Sequence, residues 1–344
     1  MLIGDIRWCN MSIILVFVVI CALAFEFING FHDTANSIAT TVYTKALPVA
    51  GAIILAATMN FCGALVSEGV AQTISQGLVS ATLDDYVILA ALLGAITWNL
   101  FTWWKGIPSS SSHALIGSLI GASIAFTLGV EGIIWTGLLQ KVVIPMFTSP
   151  LIGFVLAFLF MKFIVKCCAR RNHRKASGVF SKLQILSAAA VAFAHGTNDA
   201  QKTMGIITLA LFTSGALADA GSIPLWVKIL CAVTMAAGTS VGGWRIMRTM
   251  GHGVTKLDSA RGFAAETTSA VVIQVMTLLH APISTTQTIS SAVMGVGSAR
   301  RLSAVKWGKA KDICMTWIIT LPISMALGAV FVIIIRFIIS MFAG

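Results

Sequence analysis

The chain has 344 residues, of which 57% are hydrophobic and only 10% are charged, and its formal net charge is +11. A soluble domain carries about 25% charged residues, so this composition excludes a water-soluble globule and predicts an integral membrane protein. The basic residues lie mostly in short loops between apolar segments, where they set the orientation of a membrane protein. The positive charge therefore does not indicate a nucleic-acid partner.

Ten apolar segments follow one another along the chain, and most approach the length of about 20 residues that a spanning helix needs. Five precede the polar stretch 166–182 and five follow it, although the fourth and the ninth are short enough to be re-entrant. The segments lie at 12–28, 47–66, 86–104, 113–129, 142–165, 183–196 with 203–214 as one interrupted span, 225–242, 263–280, 285–297 and 313–340.

A short polar motif occurs once in each half of the chain. Residues 30–36 read Gly-Phe-His-Asp-Thr-Ala-Asn, and residues 196–202 read Gly-Thr-Asn-Asp-Ala-Gln-Lys. Each copy places an aspartate, Asp33 or Asp199, just beyond an apolar run. A charged group at the centre of a bilayer costs about 2.5–3.5 kcal/mol on insertion scales, so such residues are rare unless they have a function. The repetition indicates a duplicated membrane fold with a site between its halves.

Because five is an odd number, a duplicated unit of five segments enters the membrane upside down the second time. We therefore predict an all-α polytopic membrane protein made of two inverted-topology repeats, with broken or re-entrant helices at the midplane. The N-terminal repeat spans 1–165, a basic connector spans 166–182, and the C-terminal inverted repeat spans 183–344.

The charges of the loops predict the orientation in the cell membrane. The connector 166–182 contains six Lys or Arg residues, and the stretches 243–262 and 298–311 are also basic. The loops 67–85 and 215–224 carry acidic residues and no Lys or Arg. Since basic loops remain in the cytoplasm, the connector is predicted to be cytoplasmic and both termini outside.

A second polar cluster lies some eighty residues beyond each aspartate. Residues 108–113 read Pro-Ser-Ser-Ser-Ser-His, and residues 282–287 read Pro-Ile-Ser-Thr-Thr-Gln. Proline followed by Ser or Thr is typical of a helix N-terminus, where free amides and the helix dipole favour anions. We predict that these two tips bind a tetrahedral oxyanion through their hydroxyl residues, which are Ser109, Ser110, Ser111, Ser112, Ser284, Thr285 and Thr286.

The aspartates cannot attract an anion, so their expected partner is a cation, either Na⁺ or a proton. Asn36 lies one helical turn from Asp33 and adds an amide oxygen on the same face, and Asn198 could serve Asp199 in the same way. The coupling-ion site is therefore expected at these four residues, with Na⁺ as one candidate at Asp33 and Asn36. The neighbouring imidazoles, His32 and His195, are candidates for a proton relay.

The cysteines predict neither a metal centre nor a disulfide framework. All seven lack the spacing typical of either kind of site, and most lie within apolar segments, where cysteine behaves as a small hydrophobic residue. We therefore predict no resident cofactor and no structural metal.

At these motifs the chain resembles the PiT family of inorganic phosphate transporters, and in particular its bacterial low-affinity branch. The resemblance spans nearly the whole chain and is carried by residues 30–37, 194–202, 108–113, 238–245 and 282–287. It implies a secondary transporter that imports phosphate with a cation by alternating access, and not an enzyme. It also implies that Asp33, Asn36, Asp199 and the two tips form the phosphate and coupling-ion site.

The second motif departs from the sodium-coupled pattern, because residues 199–202 read Asp-Ala-Gln-Lys where those members have Asp-x-Ala-Asn. Lys202 could replace a bound Na⁺ electrostatically or contact phosphate as a point charge. This difference favours proton coupling over Na⁺ coupling. The resemblance also allows transport of a neutral metal–phosphate complex.

Several alternatives stay open at the level of the sequence. A sulfate permease would keep the same fold, and a homodimer in the lipid bilayer is compatible with every motif. An intramembrane aspartyl protease with Asp33 and Asp199 as its dyad is a remote alternative, because it gives the hydroxyl-rich tips no role.

Overall fold

The protein is described by a computed structural model that covers residues 13–79, 83–170, 173–243, 246–247, 249 and 254–343. Within these ranges the regular structure is helical, apart from one isolated antiparallel bridge between Val79 and Ile133. The fold class of an all-α polytopic membrane protein is therefore confirmed. The terminal residues 1–12, and with them the predicted position of the N-terminus, lie outside the described ranges.

Eleven long or medium helices carry the described part of the chain. They are α1 (Ile13–Tyr43), α2 (Val49–Ala64), α3 (Gly69–Gln76), α4 (Asp85–Lys105), α5 (Ser111–Thr127), α6 (Trp135–Cys168), α7 (His173–Thr213), α8 (Leu225–Val241), α9 (Ser259–Leu278), α10 (Thr285–Ser298) and α11 (Trp307–Ala343). A short 3₁₀ turn, Leu302–Ala304, precedes α11.

Five of these helices, namely α1, α4, α6, α7 and α11, are long and apolar enough to cross a membrane. A sixth span results if α2 and α3, which meet at a bend of 65°, are counted together. Each of the ten predicted segments does form a helix, but α5 and α8 have only 17 residues and α10 has 14. Length and composition thus identify five or six spans among the ten predicted segments within the described ranges.

The two motif-bearing helices are longer than the sequence pattern predicts. The segment predicted at 12–28 continues as α1 through the motif to Tyr43, so Asp33 lies well inside the helix. The interruption predicted between 196 and 203 is wrong, because α7 is one helix of 41 residues. The motif residues are buried against neighbouring helices, and polar side chains with such partners are compatible with an unbroken membrane helix.

The predicted connector 166–182 is largely helical as well. Helix α6 ends at Cys168 and α7 begins at His173, so only four residues separate them. Much of the basic stretch therefore continues the ends of two helices instead of forming a separate loop.

Corresponding helices of the two halves make corresponding contacts. Helix α1 packs on α8 as α7 packs on α2, and α4 packs on α5 as α9 packs on α10. The last helix of each half packs on the other half, since α6 contacts α9 and α10 while α11 contacts α4 and α5. The halves are thus interlocked and do not form two separately packed units.

Glycines bring the two pairs of inner helices into backbone contact. A Cβ atom added to Gly30 would lie 2.6 Å from the carbonyl oxygen of Met235, and one added to Gly196 would lie 2.3 Å from that of Asn60. These two glycines begin the two copies of the motif. Only a residue without a side chain permits such close approach of helices, so the motif glycines hold α1 against α8 and α7 against α2.

Helices α1 and α7 run in opposite directions where they meet. Residues of α1 and of the turn directly after it contact, in increasing order, residues of α7 in decreasing order. The pairs are Glu26 with Thr203, Asp33 with His195, and Thr44 with Gln184. Two antiparallel copies of one motif are what an inverted repeat requires. The inverted topology relative to a membrane, and the boundaries of the repeats, remain predictions.

Candidate functional site

The side chain of Lys202 connects the second motif to both hydroxyl-rich tips. Its ammonium nitrogen donates to Oδ1 of Asp199, to Oγ of Ser112 at 2.5 Å and to the carbonyl oxygen of Ile283 at 2.9 Å. Lys202 is only 2% exposed, and Ser112 itself donates to Ile283 at 3.0 Å. A buried ammonium with three oxygen partners therefore lies where the two tips meet.

Asp33 of the first motif contacts the same region from α1. Its Oδ1 accepts a hydrogen bond from the Thr286 hydroxyl at 3.1 Å and lies 2.9 Å from Nδ1 of His32. The amide of Asn36 donates to Thr286 at 2.8 Å. The structure thus brings Asp33, Asn36 and His32 together at the start of α10.

The two tips are N-caps, as the Pro–Ser/Thr pattern predicts. Ser110 caps α5 by accepting a hydrogen bond from the backbone N–H of His113 at 3.1 Å, and Ser284 caps α10 in the same way from Gln287 at 3.3 Å. Thr285 donates to Oδ2 of Asp199 at 3.0 Å. Because the N-terminus of a helix favours negative charge, α10 stabilises the carboxylates of both motifs.

The two imidazoles have different surroundings. Nε2 of His195 lies 3.1 Å from Oδ2 of Asp199 and 3.9 Å from Oδ2 of Asp33, while Nδ1 lies 3.0 Å from Oδ1 of Asn60. His195 therefore lies between the two motif carboxylates, and each of its ring nitrogens faces oxygen. Its Nε2 forms no hydrogen bond of good geometry with the described residues.

His32 contacts the first tip in addition to Asp33. Its Nε2 lies 3.2 Å from Oγ1 of Thr102 and 3.5 Å from Oγ of Ser109, and Ser109 donates to Thr102 at 2.8 Å. This chain of polar contacts joins α4 and the tip of α5 to the motif of α1.

Two predicted residues are placed less directly. The Asn198 amide nitrogen donates to Thr277 at 2.8 Å and to the carbonyl oxygen of Ala281 at 3.2 Å, so its side chain faces α9 and the turn after it. Successive residues of a helix point about 100° apart, which turns Asn198 away from the carboxylate of Asp199. The Ser111 hydroxyl is buried and has no hydrogen-bond partner among the residues that the structure describes.

Asp33, His195 and Asp199 can together hold a cation. Each offers one ligand atom, and the three atoms lie within 4.8 Å of one another. Oδ1 of Asn36 is also buried without a partner in the described ranges. With both imidazoles neutral, two carboxylates and one ammonium leave a net negative charge, so the site as arranged attracts a cation or a proton. Binding of an anion at this site requires either a bound cation or proton, or the release of Lys202 from Asp199.

Sequence analysis missed two buried carboxylates, Glu26 of α1 and Glu266 of α9. Glu266 accepts hydrogen bonds from Ser187 at 2.5 Å, Thr41 at 2.8 Å and Gln184 at 3.1 Å, and also from Thr40. It therefore joins the C-terminal end of α1 to the N-terminal part of α7. The signal was present, because an ionisable residue inside a membrane segment indicates a functional position by default.

The comparisons with known proteins give one consistent result. The phosphate transporter family matches residues 29–178 and 166–328 of this chain. The chain belongs to the phosphate transporter family. The predicted resemblance is thereby confirmed for the family as a whole.

Two curated relatives are similar to this chain over nearly their full length. A Bacillus subtilis (strain 168) protein named "Probable low-affinity inorganic phosphate transporter" is 50% identical over 321 residues, which cover 92% of this chain and 96% of the relative. A Rhizobium meliloti (strain 1021) protein of the same name is 47% identical, and the match covers 92% of this chain and 95% of the relative. Both are named as transporters and not as enzymes.

A solved structure supports the fold of this family member. The chain named "The sodium-dependent phosphate transporter" superposes with a TM-score of 0.85 at 25% sequence identity, and the match covers 95% of this chain and 100% of that one. This likeness extends across both halves, so the described arrangement of helices is that of a phosphate transporter.

Proposed function

We propose that the protein imports inorganic phosphate across the cell membrane in symport with a cation, by alternating access around the site between α1, α7 and the two helix tips. The observation that carries the proposal is the placement of Lys202, which contacts Asp199, the α5 tip and the turn before α10 at once. An ammonium at two helix N-termini is a suitable phosphate site, because backbone amides, hydroxyls and a point charge all favour a tetrahedral oxyanion.

Phosphate binding then requires a change of partner at Lys202. The ammonium is neutralised by Asp199 in the structure, so a bound phosphate competes with that carboxylate for Lys202, Ser112 and the α10 hydroxyls. Asp199 loses its ammonium partner when phosphate binds to Lys202. A second positive charge close to Asp199, Asp33 and His195 restores the balance, which gives a physical reason for coupling phosphate to a cation.

We propose that this cation is a proton. Lys202 already supplies, beside Asp199, the positive charge that a bound Na⁺ would supply, and His195 lies between both carboxylates with a nitrogen within 3.9 Å of each. Na⁺ is the second candidate, because Asn36 offers an unpartnered amide oxygen near Asp33 and the similar solved structure is named as sodium-dependent. A divalent metal would enter as part of the substrate, as a metal–phosphate complex.

The same geometry is unfavourable for an aspartyl protease. That chemistry needs two carboxylates that share one proton, whereas His195 lies between Asp33 and Asp199 and Lys202 neutralises Asp199. We further propose that the basic stretch 166–182 faces the cytoplasm, in accordance with its charge.

Uptake of labelled phosphate into proteoliposomes, with a proton gradient and a Na⁺ gradient imposed separately, tests the proposal. We expect the wild type to accumulate phosphate with the proton gradient, and Asp33→Asn to abolish accumulation. The control is Asp219→Asn, since Asp219 lies in the loop between α7 and α8 and contacts Gly221 and Gln76 far from the site. Uptake with the Na⁺ gradient alone would refute proton coupling, and no uptake with either gradient would refute the function.

A further inference from the structure

Glu26 is a buried carboxylate that the site described above does not use. It lies in α1, fully buried, seven positions before Asp33. Seven residues are about two turns or 10 Å of helix, so the two carboxylates lie on the same face of α1. Glu26 is therefore a second acidic group on the helix that carries the first motif.

The carboxyl group of Glu26 has one hydrogen-bond donor. Its Oε2 accepts from the hydroxyl of Thr203, while Oε1 has no partner among the residues that the structure describes. No Lys or Arg of the described ranges forms an ion pair with it. By contrast, Glu266 is equally buried but accepts from four donors.

This difference indicates whether the surroundings of each carboxyl group favour its ionised or its neutral form. Burying a carboxylate without a paired cation or several donors is strongly unfavourable. Glu266 has such donors. Glu26 does not, so the arrangement described here accommodates the neutral acid.

Thr203 connects Glu26 to the site, because it directly follows Lys202 in α7. Lys202 and Thr203 lie in the same turn of α7. A movement of this turn that frees Lys202 from Asp199 therefore also affects the hydrogen bond from Thr203 to Glu26. The titratable groups of the described ranges that interact electrostatically with Glu26 are Asp199, His195 and Lys202 of α7 and Cys231 of α8. Binding of phosphate at Lys202 is thus able to change the charge that surrounds Glu26.

We propose that Glu26 is a proton-binding site of the transport cycle, which takes up a proton from one side of the membrane and releases it on the other. The inference rests on the proposed proton–phosphate symport. One proton binds to the carboxylate and leaves as a proton, so no other group is consumed or oxidised. Glu26 has no contact with phosphate in this scheme and couples to it through Thr203 and Lys202.

The inference is tested with Glu26→Gln, which imitates the permanently protonated acid. Phosphate exchange and net phosphate accumulation are measured separately. Exchange of phosphate across a proteoliposome membrane at equal concentrations needs no release of the proton, so we expect it to continue. At a gradient of about one pH unit, one coupled proton supports about tenfold accumulation of phosphate, and we expect this accumulation to disappear. Alkalinisation of the outer medium on addition of phosphate should disappear with it.

Two further variants complete the experiment. Glu26→Asp keeps an ionisable group and should restore part of the accumulation. Glu68→Gln removes a carboxylate whose partner is Lys228, a pair near the predicted outer end of the protein, and should accumulate phosphate as the wild type does.

Four results would decide against the inference, and each has a distinct meaning. Undiminished accumulation by Glu26→Gln would show that the proton binds elsewhere. Loss of exchange together with accumulation would show that Glu26 is needed for folding or binding and not for coupling. A wild type driven by Na⁺ alone would remove the proton coupling on which the inference rests, and a wild type without uptake would refute the transport function itself.

Discussion

At the scale of single residues, the buried pair of Lys202 and Asp199 is the decisive feature of the site. Both side chains are almost fully buried, and removing one member of such a pair leaves an uncompensated charge inside the protein. In the proposed function, phosphate replaces Asp199 as the partner of Lys202, because it is also an anion. On this proposal the carboxylate of Asp199 takes the place of phosphate at Lys202 when no substrate is bound.

Lys202→Met is expected to abolish phosphate uptake and to destabilise the protein by about 3–5 kcal/mol, because Asp199 loses its cation. The double variant Lys202→Met/Asp199→Asn should recover much of the stability, since no charge is left unpaired, but no transport. Thermal unfolding in detergent and uptake of labelled phosphate measure the two effects.

The matched control is Lys228→Met, which breaks the partly exposed pair with Glu68. An ion pair open to water contributes about 1 kcal/mol or less, so this variant should remain stable and active. Phosphate transport by Lys202→Met/Asp199→Asn would contradict the assigned role of Lys202.

At the scale of the elements, helix ends and helix crossings position the site. The start of α10 carries Ser284 as its N-cap, with Thr285 and Thr286 bonded to the two motif aspartates. A helix N-terminus stabilises anions through its free amides and dipole. The start of α10 contacts the carboxylates in the structure, and in the proposed function it also binds phosphate.

Ser284→Ala is expected to cost about 1 kcal/mol of stability through loss of the cap and to raise the KM for phosphate. Ser284→Asp retains a capping oxygen but adds a negative charge, so stability should recover while the KM rises further. Asp258→Ala is the control: Asp258 caps α9 through the N–H of Arg261 at 2.9 Å, and its loss should reduce stability without changing the KM. An unchanged KM in both Ser284 variants would contradict an anion site at this tip.

The glycine crossings predict a second effect at this scale. A Cβ at Gly63 would lie 2.2 Å from the carbonyl oxygen of Phe193, so Gly63→Ala should force α2 away from α7 and reduce the yield of monodisperse protein. Gly178→Ala is the control, because a Cβ there meets nothing within 4 Å. Alanine is the better helix former by about 1 kcal/mol, so this variant should be at least as stable as the wild type. Normal yield and activity of Gly63→Ala, measured by size-exclusion chromatography and uptake, would show that the crossing is adaptable.

At the scale of the whole molecule, the two halves depend on each other. Helix α6 covers α9 and α10 of the second half, and α11 covers α4 and α5 of the first. The site uses α1 and the α5 tip from one half and α7 and the α10 tip from the other. Neither half can therefore bury its own helices or complete the site.

A chain divided after residue 170, between α6 and α7, is expected to assemble when both parts are produced together. Each part alone should be degraded or aggregate, because the surfaces that α6 and α11 cover would be exposed. Co-purification through a tag on one part, followed by phosphate uptake, measures the assembly. A stable, monodisperse N-terminal part would contradict the interlocked arrangement.

The sequence alone was sufficient to predict membrane insertion, the helices at the ten segments, the two caps and the family. These features depend on local information: apolar length, the Pro–Ser/Thr pattern and motifs read in order. The pairing of Asp33, Asn36 and Thr286, and of Lys202 with both tips, brings together residues far apart in the chain. For these contacts, the repeated motif indicated that the two halves of the chain share one site, but it did not indicate which atoms form the hydrogen bonds.

Features that depend on long-range packing required the tertiary structure. Whether α7 continues through its motif, which way Asn198 points and which half α6 and α11 cover are decided by helix crossings that no local pattern encodes. The contrast between Glu26 and Glu266 has the same origin, because both appear in the sequence as one acidic residue in an apolar helix. Only the number of donors that the fold brings to each carboxyl group distinguishes Glu266 from Glu26, for which we propose proton binding.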